Sequence, residues 1–180
     1  MSRKVAIVAG LLIGAGIGAL VVVPFVGARK SVAAVAAEPH VVAATPELAG
    51  RHIVRVGGCN DCHTPGFMQL GEQVPESQWL IGVPLGFKGP WGTTYGANLR
   101  AKVQALTEEQ WTTFAKNHTG RPPMPWASVH AMSDADRRSL YRYIRSLGPS
   151  DHAVPDALAP GVAPATPYLV FEPVMPGAAR

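Results

Sequence analysis

The chain has 180 residues, enough for one domain with extensions. Hydrophobic residues make up 47% of it and charged residues 16%, which excludes wholesale disorder, and two cysteines are too few for a disulfide scaffold. The formal net charge is +4, but four basic side chains lie in the first 37 residues, which contain no Asp or Glu. The rest of the chain has 12 basic and 12 acidic side chains, so its charge gives no support for nucleic-acid binding.

The N-terminal segment has the pattern of an export signal. Residues 5–26 contain no charged or amide side chain and follow Arg3 and Lys4, and the small residues of 31–37 offer cleavage sites. A helix over 5–26 would be about 33 Å long, which is enough to span a bilayer. Residues 1–37 are therefore predicted to be either a cleaved signal or a retained membrane anchor, and both alternatives place the rest of the chain in the periplasm.

The first predicted helix of the main domain begins at Thr45. Thr45 suits the N-cap, Pro46 the first helical position and Glu47 the first turn. An apolar stripe with helical spacing then extends to Val56, and the glycines at 57–58 end the helix.

Both cysteines lie in one pentapeptide, Cys59-Asn-Asp-Cys62-His63, for which three hypotheses compete. A zinc site would need further ligands at suitable spacing, and there is no third cysteine. A thioredoxin-type redox pair would need a βαβ context that the flanking sequence lacks. The third hypothesis is covalent attachment of haem, for which C-x-x-C-H is the signature. We favour the third, because an exported protein reaches the compartment where such attachment occurs.

In this interpretation the chain carries one covalent haem c. The thiols of Cys59 and Cys62 add across its two vinyl groups, and His63 is the proximal iron ligand. The other ring nitrogen of a ligating histidine is usually held by a carbonyl or carboxylate. The backbone carbonyls of residues 64–66, which follow at once, are the expected partners.

Residues 66–106 carry glycine and proline throughout and are predicted to form long loops, with a short strand pair within 79–87. Two alternatives remain for the polar and aromatic side chains of this region. Trp91, Tyr95 and Asn98 either pack on the haem and bond its propionates, or are ordinary core aromatics and a turn asparagine.

Two further helices are predicted from their start signals. Thr107 and Gln110 form a capping box, and the helix they open ends at 119–120. Ser133 opens the last helix, whose stop signal is the Gly-Pro pair at 148–149.

The sixth iron ligand decides the function, because an open position would admit gases or peroxide. Met124 is the preferred candidate: it has a proline on each side, and prolines restrict the freedom of the loop. Met132, before a helix cap, and Met175, in the tail, remain alternatives. His118 and His130 are weaker candidates. A thioether ligand favours ferrous iron and raises the reduction potential.

The chain is predicted to divide into three parts. Residues 1–37 are the signal or anchor, and residues 38–148 form the cytochrome c domain. Residues 149–180 contain seven prolines and are predicted to form a tail that wraps the domain. The apolar segment at 168–171 offers a docking point for this tail.

These features resemble the single-haem class I c-type cytochromes of bacteria, particularly the exported ones associated with periplasmic dehydrogenases. The resemblance covers residues 45–172 and depends on segments 58–65, 89–95, 98–99, 122–126 and 143–148. It implies an all-α cytochrome c fold, with three to four short helices and long loops around the haem. It also implies axial ligation by His63 and Met124, and one-electron transfer. A lysine ring for docking is not expected, because only three lysines lie outside the first 37 residues.

The sequence therefore predicts a periplasmic one-electron carrier rather than an enzyme. Its expected partners are redox proteins, with a dehydrogenase as electron donor and a terminal oxidase as acceptor, and membrane anchoring through residues 5–26 is one alternative. A haem c enzyme or gas sensor with an open sixth position is the rival interpretation. A dedicated cytochrome subunit of a periplasmic dehydrogenase would keep the same chemistry.

Overall fold

The computed structural model describes residues 38–173 and 175–177, and the described chain is a mixed α/β structure. The prediction of an all-α fold is therefore wrong. The α-helices are α1 (Pro46–Val56), α2 (Cys59–His63), α3 (Phe67–Leu70), α4 (Leu99–Gln104), α5 (Glu108–Asn117), α6 (Trp126–His130) and α7 (Asp134–Ser146). Two 3₁₀ turns cover Gly71–Gln73 and Glu76–Gln78, and the strands are β1 (Val83–Gly89), β2 (Gly92–Gly96) and β3 (Tyr168–Val170).

The three strands form one sheet in the order β2-β1-β3. β1 and β2 are an antiparallel hairpin, whereas β3 comes from the tail and pairs with β1 in parallel. The pairing of β1 with β2 is interrupted by a register shift between Val83 and Gly86. Glycines and a proline in β1 remove the regular alternation by which strands are recognised, so the predicted strand pair at 79–87 was misplaced. Trp79 lies outside the sheet and is buried in the core.

The three predicted helix starts are confirmed. The Thr45 side chain accepts a hydrogen bond from the Leu48 amide at the start of α1. Thr107 and Gln110 form both bonds of the capping box at α5. Ser133 caps α7 by accepting from the amide of Asp136. Each side chain satisfies an amide that has no partner within its helix, and this is why the cap patterns could be read from the sequence.

The hydrophobic core is built on the packing of α1 against α7, the most extensive contact between two elements, and also includes Trp79, Val103 and Trp111. Gly50 of α1 permits this contact, because a Cβ atom there would lie 2.1 Å from the Ser139 carbonyl oxygen of α7. Ile53 and Val54 of α1 are buried against Leu140 and Ile144 of α7.

The predicted signal or anchor, residues 1–37, lies outside the described residues. Among residues 38–173 and 175–177, no helix is both long enough and apolar enough to cross a membrane.

Candidate functional site

The cysteine motif forms a short helix directly after α1. Gly58 has φ of +64°, in the left-handed region that glycine adopts without strain, and this turns the chain from α1 into α2. Cys59 and Cys62 are both free thiols and partly exposed. Because they are three residues apart in a helix, they share one face of α2.

Both thiols are held in the protonated form. Burial raises the pKa of Cys59 to about 11, and burial together with the negative charge of Asp61 raises the pKa of Cys62. A reactive redox cysteine instead needs a lowered pKa, supplied by a nearby cation or a helix N-terminus. The environment of this pair therefore disfavours the thioredoxin-type alternative.

Slow alkylation of Cys59 is the expected consequence for the chain with free thiols. With a pKa of about 11, only about one Cys59 side chain in 1,000 is thiolate at pH 8. Raising the pH through 11 converts the thiol to thiolate, so the alkylation rate by iodoacetamide should climb steadily over that range. The measurement is a pH–rate profile on protein made without haem-attachment machinery, with circular dichroism checking that it is folded. A rate that levels off at about pH 9–10, as expected for an ordinary thiol with a pKa of about 8.5, would contradict this prediction.

His63 is buried, with 7% of its surface exposed, and its orientation is fixed. Its Nδ1 donates a hydrogen bond of 2.8 Å to the carbonyl oxygen of Ala97. Burial lowers the pKa of His63, an effect that the bond to Ala97 only partly opposes. The ring is therefore neutral at pH 7, with its proton on Nδ1, and the lone pair of Nε2 is available to a metal.

The partner of Nδ1 corrects the prediction from the sequence. We expected a carbonyl from residues 64–66, but the structure uses Ala97, which is 34 positions from His63 in the chain. The nearer segment has other contacts: Thr64 Oγ1 donates to the Asn60 side chain and accepts from the Leu80 amide. The chain from β2 to α4 therefore supplies the support that we had assigned to the adjacent turn.

β2 lies directly against the cysteine motif. A Cβ atom on Gly96 would lie 1.7 Å from the carbonyl oxygen of Cys62, so only glycine fits at this position. The carbonyl oxygen of His63 accepts from the Gly82 amide at 2.8 Å. These contacts fix the backbone of α2 from the side of the sheet and bring Ala97 to the His63 ring.

Among the described methionines, Met124 differs in its surroundings. Met68 and Met175 are 55% and 69% exposed, and Met132 packs against the hydrophobic core. Met124 is partly buried without belonging to that core. A methionine that neither fills the core nor faces fully into solvent is the one most readily available as a ligand.

The loop around Met124, residues 121–125, is called the Met124 loop here and is anchored on both sides of the methionine. Before it, the Pro122 carbonyl accepts a hydrogen bond of 2.7 Å from the Thr94 hydroxyl of β2. After it, the Trp126 ring contacts Phe114 of α5, with ring centroids 6.1 Å apart. The stretch of chain at 94–97 thus bonds both the His63 ring, through Ala97, and the loop that leads to Met124, through Thr94 and Pro122.

Trp91, Tyr95 and Asn98, for which contact with a haem was one of two alternatives, form contacts with the sheet and the tail. Trp91 Nε1 donates to the Phe87 carbonyl. Asn98 caps α4 and donates to the carbonyls of Ser150 and His152. Tyr95 accepts a hydrogen bond from the Thr166 hydroxyl.

The two histidines considered as alternative sixth ligands are joined to each other. His130 Nε2 donates to the carbonyl oxygen of His118, and the His118 ring stacks on Phe114 with a centroid distance of 4.4 Å. These contacts give both rings a place in the aromatic cluster around Trp126.

Residues 38–173 and 175–177 contain no group of three or more His, Cys, Asp or Glu side chains able to hold a metal ion. Comparisons with protein-family models, with curated proteins and with solved structures found no match. The functional interpretation therefore depends on the motif and on the geometry around it.

Proposed function

We propose that this protein is a one-electron carrier with a covalently attached haem c, bound through Cys59 and Cys62 and ligated by His63 and Met124. The observation that carries the proposal is that the His63 ring is buried and is held by a hydrogen bond from its Nδ1. The C-x-x-C-H motif places this ring beside two free thiols, and its Nδ1–H is already bonded to Ala97. The remaining nitrogen, Nε2, is the one that a proximal ligand uses.

The residues present fit the group. Two free thiols on one helix face suit thioether formation, in which the sulfur of each cysteine bonds to one carbon of a vinyl group and the thiol proton is transferred to the other carbon. When bound, haem supplies an iron that alternates between the ferrous and ferric states. The chain keeps the imidazole of His63 neutral and oriented, and it restrains the Met124 loop through the hydrogen bond of Thr94.

The partners belong to the proposal as well. An electron carrier needs a donor and an acceptor, and we propose a periplasmic dehydrogenase and a terminal oxidase in these roles. Residues 38–180 contain 12 basic and 12 acidic side chains, so this part of the chain has no formal net charge. Docking should accordingly depend on apolar contact more than on long-range attraction.

The test is covalent haem attachment in the periplasm of a host that has haem-attachment machinery. The wild-type chain is expected to retain its haem after extraction with acidified organic solvent, and the double variant Cys59→Ser with Cys62→Ser is expected to lose it. Asp61→Asn is the matched control, because Asp61 lies between the cysteines with an exposed side chain and should leave attachment intact. Loss of all haem from the wild type during extraction would refute the proposal. Rapid carbon monoxide binding by the reduced wild type would favour the rival with an open iron site.

A further inference from the structure

One residue of the C-terminal tail, Leu158, is hydrogen-bonded both to β2 and to the Met124 loop. The Leu158 carbonyl accepts one hydrogen bond from the Thr93 amide, at 3.1 Å, and another from Arg121 Nη1, at 2.8 Å. The Leu158 amide donates back to the Thr93 carbonyl at 2.9 Å. Thr93 is fully buried, so this part of β2 is covered. Leu158 is thus bonded both to β2 and to Arg121, the first residue of the Met124 loop.

The tail is fixed on both sides of Leu158. On its N-terminal side, Asn98 donates to the carbonyl oxygen of Ser150. On its C-terminal side, β3 pairs with β1, and the Phe171 ring packs against Trp91 with centroids 6.2 Å apart. Between these two points, Gly92 of β2 allows the tail to approach the strand closely, because a Cβ atom at this position would lie 2.1 Å from the Leu158 carbonyl oxygen. Leu158 therefore has a defined place on the sheet.

A second bond reaches the same loop from β2 itself. Thr94, the neighbour of Thr93, donates through its hydroxyl to the carbonyl of Pro122, the neighbour of Arg121. Two successive residues just before Met124 are therefore tied down, one to the tail and one to the strand. Met124 cannot move far unless this loop moves, and the two hydrogen bonds oppose that movement.

We propose that Arg121 and Thr94 are positioning residues for the sixth iron ligand, and that the tail acts through Leu158 to resist displacement of Met124. This inference rests on the proposed function, because it requires Met124 to be a ligand. Neither residue touches the iron in this scheme. Loss of one hydrogen bond of this kind should raise the rate of ligand displacement by about 5–10-fold.

The experiment measures imidazole binding to the oxidised, haem-loaded full chain by stopped-flow absorbance. Arg121→Leu keeps part of the aliphatic stem and removes the donor without adding a second thioether, and Thr94→Val keeps the shape and removes the hydroxyl. The matched controls are Arg138→Leu, which breaks an exposed pair with Glu108, and Thr113→Val, at an exposed position of α5. Each test variant is expected to bind imidazole about 5–10-fold faster than the wild type, and the controls at the wild-type rate.

The result separates a positioning role from a general effect on stability. A merely structural role would lower the unfolding temperature while leaving the imidazole rate unchanged. Wild-type rates in both Arg121→Leu and Thr94→Val, with the sulfur-to-iron absorption band intact, would overturn the inference and leave the proposed function standing. A wild-type protein that lacks this band, or carries no covalent haem, would overturn both.

Discussion

Replacing Met124 with alanine is expected to abolish the weak sulfur-to-iron band of the oxidised protein and to let the reduced protein bind carbon monoxide rapidly. Alanine has no donor atom, so the sixth coordination position would become available to an external ligand. The cost in stability should be small, about 1 kcal/mol, because Met124 is only partly buried and lies outside the core. The measurements are the absorption spectrum, carbon monoxide binding and thermal unfolding of the haem-loaded protein.

Met132→Ala is the matched control, and the opposite pattern is expected for it. Met132 is also only partly buried but packs against the core, so its truncation should destabilise the fold by about 1–3 kcal/mol and leave the sulfur band in place. If Met132→Ala instead removes the band and Met124→Ala does not, the wrong methionine has been assigned. The pair of variants thus separates the loss of a ligand from the loss of packing.

Local signals explain which parts of the fold could be predicted. The starts of α1, α5 and α7 depend on a side chain that bonds an amide three residues away, and the sequence shows both members of that contact. The cysteine motif could also be recognised locally, because it consists of five consecutive residues. Elements of this kind follow from neighbouring residues alone.

The parts that were missed depend on contacts between distant residues. The segment at 168–171 does contact the domain, as its apolar residues suggested, but its pairing with β1 as strand β3, across about 80 residues, has no local pattern to announce it. The bond between His63 and Ala97 was missed for the same reason. Any backbone carbonyl can accept a hydrogen bond, so the partner of His63 depends on which segment of the folded chain lies beside its ring. The sequence did carry a weak signal for the hairpin, namely Gly89 and Gly92 on either side of a two-residue loop.

Gly96→Ala is expected to destabilise the protein by about 3 kcal/mol, at the upper end of the usual cost of overpacking, because the added methyl group would collide with a backbone carbonyl rather than a flexible side chain. To avoid the Cys62 carbonyl, β2 must move away from α2 and take Ala97 with it. His63 would then lose the acceptor of its Nδ1–H, which makes the imidazole a weaker donor to iron. A weaker donor favours the ferrous state, so the reduction potential should rise.

Gly50→Ala distinguishes this effect from destabilisation alone. Its methyl group would also meet a backbone carbonyl, that of Ser139, but at the crossing of α1 and α7. Alanine gains about 1 kcal/mol over glycine in helix propensity, so the net loss there should be about 2 kcal/mol. Both variants should therefore unfold at lower denaturant concentration, yet only Gly96→Ala should shift the potential measured by redox titration. Equal potentials in the two variants would mean that the Ala97 hydrogen bond does not tune His63, whereas a shift confined to Gly96→Ala would assign that role to the approach of β2.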